Sequence, residues 1–171
     1  IKPFTLRRRK NQVLDDLPEK TEIVLTVEMS DEERAFYEAI RREALEKIES
    51  TDGEAKDKRF RILAELTRLR LACCHPKLVN ENVPISSSKL ELFGETLEEL
   101  LENKHKALVF SQFVKHLKIV REYLDSKGIS YQYLDGSTPP NVRQERIDQF
   151  QRGNGEVFLI SLKAGGTGLN L

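Results

Sequence analysis

The spacing of apolar positions changes character near Lys106. After it, short apolar runs alternate with amphipathic stretches. The pattern predicts a strand over 107–111 (ALVFS), a helix over 113–127, a stop at Gly128, and a strand over 129–134 (ISYQYL). It then predicts a helix over 139–152 and a strand over 156–160 (EVFLI). Proline at a helix start and glycine after a helix end follow the usual asymmetry of helix termini. Strands that alternate with helices imply a parallel, doubly wound sheet, so the expected class is α/β.

Before Lys106 the period is mostly helical. Residues 21–28 (TEIVLTVE) are the exception: they alternate, with Ile23, Leu25 and Val27 on one face, and predict an edge strand. Ser30 followed by Glu33 reads as a capping box that opens a helix over about 31–50. Its apolar face would be Phe36, Ala39, Ile40, Ala44 and Ile48, and Thr51-Asp52-Gly53 would end it. A second helix is expected over about 57–74, with Phe60, Leu63, Ala64, Thr67, Leu71 and Cys74 inward and His75-Pro76 as its stop. These two helices should pack together as an antiparallel pair. After a loop with Pro84, Ser88 and Glu91 read as another capping box, leading a helix with Leu90, Phe93, Leu97, Leu100 and Leu101 inward. The expected organisation is a connector over 1–20, a strand plus helical protrusion over 21–85, and an α/β unit over 86–171.

Composition narrows the class. Hydrophobic residues are 39% and charged residues 33%, so the chain is globular with a large solvated helical surface. Lys plus Arg and Asp plus Glu both number 28, so overall charge points to no polyanionic partner. Charge is nonetheless uneven, because Arg7-Arg8-Arg9-Lys10 makes residues 1–20 basic. That run suits a nucleic-acid arm or a localisation signal, or simply a solvated stretch. No stretch reaches the ~18 apolar residues that a membrane span requires. No secretory leader is visible either, so a soluble intracellular protein is the expectation.

The candidate chemistry sits at strand ends. Beyond the run at 156–160, Gly165, Gly166 and Gly168 follow within SLKAGGTGLNL. Glycines there let backbone amides approach a phosphate or sugar, at the edge where open α/β sheets bind ligands. The alternative is a tight turn. The loop is neither a Walker A motif nor a clean GxGxxG, and Lys163 just before it can meet a phosphate or be merely solvated. Ser111 and Gln112 stand where the first α/β strand opens into a helix, fit to hold a phosphate oxygen or to cap the helix. After the second strand, Ser137 and Thr138 can cap the next helix and present hydroxyls. Arg143 and Arg146 lie three apart on one face of that helix. Cys73, Cys74 and His75 lack the second ligand pair of a zinc site and read as structural; no metal site is expected. No nucleophilic triad can be assembled, and His105 and His116 are given no role.

Taken in order, these stretches resemble the C-terminal motor lobe of SWI/SNF-type helicase-like ATPases, within superfamily-two helicases. FTLRRRKNQVLDDLPEKTE looks like the crossing between that family's two lobes, and RLRLACCHPKLV like the helix before the second lobe. SSSKLELFGETLEEL is similar to the helix leading into that lobe. KALVFSQF resembles helicase motif IV, YLDGST with Arg143 the block after it, and FLISLKAGGTGLNL motif V.

The resemblance implies a RecA-like parallel sheet with flanking helices. It implies ATP with Mg2+ as cofactor, held mainly by an N-terminal RecA-like lobe that carries the Walker A lysine and an acidic box. Carried over by position, Gly166, Gly168 and Asn170 would lie near the nucleotide. Ser111, Gln112, Thr138, Arg143 and Lys163 would face DNA phosphates. Double-stranded DNA and the N-terminal lobe are the implied partners, with nucleosome, RNA polymerase and repair intermediates open as targets. Bacterial cytoplasm and eukaryotic nucleus both stay open. The sequence stops at Leu171 inside motif V, before the arginines of motif VI, so a piece of a longer protein is expected, with no catalytic residue and no hydrolysis of its own. Two other readings stay open: a non-catalytic RecA-like docking module, and a nucleotide-cofactor oxidoreductase. The lack of a glycine fingerprint after the first strand disfavours the latter.

Overall fold

The computed structural model describes residues 21–50, 55–166 and 169. Helices α1 (Asp31–Glu49), α2 (Ala55–Cys74) and α3 (Ser88–Glu102) precede β1 (Ala107–Ser111), α4 (Val114–Lys127), β2 (Tyr131–Leu134), α5 (Pro140–Gln151), β3 (Val157–Ser161) and the single turn α6 (Leu162–Gly165). A 3-10 turn, Pro76–Leu78, links α2 toward α3.

The three strands form one parallel sheet in the order β1-β3-β2. β3 is central, and Val157 through Ile160 are fully buried. Because strand side chains alternate between faces, β3 serves two cores. Val157 and Leu159 pack with Leu97, Leu117, Val120 and Leu124 of α3 and α4. Phe158 and Ile160 pack with Leu134, Ile147, Phe150 and Ala164 on the α5 side. A strand covered on both faces reads as a continuous apolar run, and EVFLI does. Gly128, at φ 67°, closes α4 in the left-handed region.

α1 opens with the expected capping box. Ser30 Oγ accepts the Glu33 N–H at 3.2 Å, and the Glu33 carboxylate accepts the Ser30 N–H at 3.2 Å. α2 packs on α1, but of its expected inward face only Leu71 and Cys74 are half-buried. Phe60 and Leu63 are about 60% exposed, and Ala64 and Thr67 also face water. The buried side carries Ile62, Glu65, Arg68, Leu69 and Ala72. Charge decides the rotation: Arg68 reaches Glu43 of α1 at 2.8 Å, and an apolar-only reading of the helix misses that pair.

Two further expectations fail. Residues 21–30 form no strand; Ile23 is 77% and Val24 87% exposed. The alternation gives an apolar face, but a strand needs an edge to pair with, and no described strand pairs with this segment. The cap of α3 is Ser87, whose Oγ accepts the Leu90 N–H at 3.4 Å. The expected box of Ser88 with Glu91 does not form, because Glu33 takes the Ser88 N–H instead. The expected end of α1 at Thr51-Asp52-Gly53 and the connector over 1–20 lie outside the described residues.

Candidate phosphate-binding rim

Parallel pairing brings the carboxyl ends of all three strands to one edge. Ser111 stands opposite Ser161, and Leu134 opposite Ile160. The segments after each strand therefore share a rim. Ser161 caps α6 by accepting the Ala164 N–H at 3.3 Å, so the glycine segment begins with a helical turn rather than an open loop. A Cβ on Gly165 would sit 3.0 Å from the Phe110 ring, so this glycine is needed for packing against β1. Among the described residues, a Cβ on Gly166 would meet nothing closer than 3.6 Å. Gly166 is exposed, and its packing against the described residues does not require its small size. Gly168 and Asn170 lie outside the described residues.

At the β1 tip, Ser111 Oγ accepts the Phe113 N–H at 3.3 Å and lies 3.4 Å from His116 Nδ1. Gln112 turns toward the protrusion: its Oε1 accepts from the Arg70 guanidinium of α2, which also sits 5.6 Å over the Phe113 ring. Arg70 was invisible in the sequence, where it reads as one more solvated base on a helix.

At the β2 tip, the Asp135 carboxylate accepts from the Ser137 N–H (2.9 Å), the Ser137 hydroxyl (2.6 Å) and the Tyr133 hydroxyl (2.8 Å). Burial raises the Asp135 pKa, but these hydrogen bonds outweigh it and hold the carboxyl below its usual range. Burial and the same carboxylate push Tyr133 up to about 12. Thr138 Oγ1 accepts the Asp135 N–H at 3.2 Å, and the same side chain hydrogen-bonds the Asp135 carboxylate. Arg143 reaches across the rim and donates to the Ala164 carbonyl at 2.7 Å, which ties α5 to the glycine segment. Arg146 donates to the Tyr133 carbonyl. Both arginines therefore hold the rim together.

The two helices that start at this edge share one property. Neither α4 nor α5 has a side-chain cap. Their first-turn amides, Val114 and Lys115 in one and Asn141 and Val142 in the other, belong to the orphan donors of a helix start. An uncapped helix N-terminus carries partial positive charge and attracts anions. Lys163 is exposed beside them and makes no ion pair among the described residues. Cys73 and Cys74 are free, half-buried thiols whose pKa burial pushes up. Among the described residues no cluster of three His, Cys, Asp or Glu is placed to hold a metal ion, and no helix is long and apolar enough to cross a membrane.

A covered parallel sheet with its helix starts gathered at one edge, preceded by a helical protrusion, is the C-terminal RecA-like lobe of a helicase-like ATPase. The family model of the helicase conserved C-terminal domain matches residues 89–171, and that of the SNF2-related domain matches 1–78. The chain belongs to the SWI/SNF-type helicase-like ATPases of superfamily two. It is 36% identical to mouse chromodomain-helicase-DNA-binding protein 1-like, across 100% of this chain and 20% of that protein. It is 33% identical to the human SWI/SNF-related matrix-associated actin-dependent regulator of chromatin subfamily A member 1, across 100% of this chain and 17% of that protein. The chain thus spans a fifth or less of the length of these curated relatives. The Sulfolobus solfataricus SWI2/SNF2 ATPase core domain superposes with a TM-score of 0.77 at 31% identity, over 99% of this chain and 36% of that one. The same ATPase core in complex with dsDNA superposes at 0.76 and 28% identity, over 94% and 35%.

Proposed function

We propose that this chain is the C-terminal motor-lobe portion of an ATP-dependent double-stranded-DNA translocase that remodels protein–DNA complexes. One observation carries the reading: two uncapped helix starts and Lys163, which makes no ion pair among the described residues, share the carboxyl edge of the sheet. The DNA complex of the Sulfolobus relative supports the partner.

In this account Ser111, Thr138, Arg143 and Lys163 face the DNA backbone, and Gln112, expected there too, is held toward the protrusion by Arg70 and fixes the β1 tip instead. The Lys163 ammonium donates to phosphate oxygens, and Thr138 holds the β2 tip in place beside them. Ser111 and Arg143 act largely by fixing the segments that do so. Such contacts give affinity without base recognition. Gly166, Gly168 and Asn170 lie toward the nucleotide, where an exposed glycine leaves room for it.

ATP is the substrate, and its Mg2+ would neutralise phosphate charge. Metal binding would fall mainly to an N-terminal RecA-like lobe, as the family resemblance implies. Hydrolysis is a property of the two lobes together, and this chain alone does not hydrolyse ATP. The remodelled complex would be a nucleosome or a stalled RNA polymerase, and the compartment a nucleus or a bacterial cytoplasm.

Random-sequence duplex binding tests this function. Affinity should fall steeply between low and moderate salt, because phosphate contacts release counterions. Salt-independent affinity, or ATPase activity above background in the purified chain, would overturn the reading.

A further inference from the structure

Arg70 belongs to α2, in the helical protrusion, yet both of its contacts lie in the α/β unit. Its guanidinium donates to Gln112 Oε1, 42 residues further along the chain. The same group sits 5.6 Å over the Phe113 ring. A guanidinium within ~6 Å of a ring centroid is attracted to the ring face. Arg68, on the same helix, bonds Glu43 of α1, so Arg70 extends from a supported element.

Gln112 and Phe113 are all that lies between the end of β1 and the start of α4. Phe113 is the N-cap residue of α4, and its carbonyl accepts the His116 N–H at 3.0 Å and the Leu117 N–H at 3.2 Å. Its own N–H is held by Ser111 Oγ at 3.3 Å. No side chain caps this helix start. The direction of the Val114 and Lys115 amides therefore depends on how that two-residue link is held.

We infer that Arg70 is a positioning residue for DNA binding: from the protrusion it clamps the link between β1 and α4, and so aims the uncapped start of α4 at the phosphate backbone. This rests on the function proposed for the rim and adds to it a coupling between rim and protrusion. Arg70 acts through Gln112 and Phe113, whereas Lys163 meets phosphate itself.

The test is a double-mutant cycle in random-sequence duplex binding, using Arg70→Ala, Gln112→Ala and the double variant of the 171-residue chain. Arg70→Ala should weaken binding about fivefold, the scale of one hydrogen bond. Its salt slope should stay at the wild-type value, whereas a lost phosphate contact lowers the slope by about 1. The double variant should bind no more weakly than Arg70→Ala, because both changes break one link. Arg59→Ala removes the same charge from an exposed site on α2 and should leave affinity unchanged. In the free Arg70→Ala chain, amide NMR shifts should move at Phe113, Val114 and Lys115 and stay in place along β3, which also shows that the variant is folded. Wild-type affinity in Arg70→Ala would overturn the inference and spare the rim. A lowered slope, additive losses in the double variant, or an equal loss in Arg59→Ala would overturn it as well. No duplex binding by the wild-type chain would remove both the inference and the function it rests on.

Discussion

The carboxylate of Glu33, in the first turn of α1, accepts the backbone N–H of Ser88 at 3.1 Å across a separation of 55 residues. The same group closes the α1 capping box through the Ser30 N–H, and it also accepts from the Ser88 hydroxyl. One side chain, 7% exposed, thus serves the starts of two helices and ties the protrusion to the α/β unit.

Removing it takes an acceptor from the Ser30 and Ser88 amides, one at each helix start. Glu33→Ala should lower the unfolding free energy by about 1 kcal/mol, the usual loss for a helix-start cap. Glu32→Ala, one residue earlier and exposed, should change little. Urea denaturation of both variants checks this, and equal midpoints would count against the tie.

The Glu43–Arg68 pair sets how α2 sits on α1. The hydrogen bond from Arg68, helped by Lys47, lowers the Glu43 carboxyl to about 2. A carboxyl with a depressed folded pKa favours the fold above its unfolded value and loses that contribution as pH falls through the folded value. The window therefore runs from about 4.5 down to about 2. Carboxyl NMR titration should find Glu43 well below other glutamates, and Arg68→Met should raise it toward the ordinary range. An unshifted midpoint in the wild type would contradict this packing.

His116 acts in a higher window. Its folded pKa lies near 4 and its ordinary value at 6.5, so the unfolded chain takes the proton first. Stability is full above about 6.5 and declines as pH falls toward 4. Thermal melts from pH 7 to pH 5 should show a falling midpoint, with a shallower fall in His116→Leu. Parallel curves for the two proteins would show that His116 is not the group responsible.

Much of this was legible in the sequence. The α/β unit was, because a central parallel strand must be apolar on both faces and Val157–Ile160 is. Ser30 with Glu33 also announced α1 correctly. What failed depended on partners far away in sequence. Alternation at Ile23, Leu25 and Val27 says nothing about whether an edge is available. The orientation of α2 was settled by Arg68 finding Glu43, and the start of α3 by Glu33 finding Ser88. At the rim, Ser111 and Thr138 were readable from their places after strands. That Arg70 would hold Gln112, and that α4 and α5 would start without caps, was not.

The phosphate-binding rim is tested most directly by amide NMR mapping of the chain titrated with random-sequence duplex DNA. The account predicts shifts at the Val114, Lys115, Asn141 and Val142 amides, at Thr138 and at Lys163. Lys163→Ala should reduce the salt slope of binding by about 1. Shifts confined to the exposed apolar side of α2 around Phe60 and Leu63, with the rim amides unmoved, would contradict it.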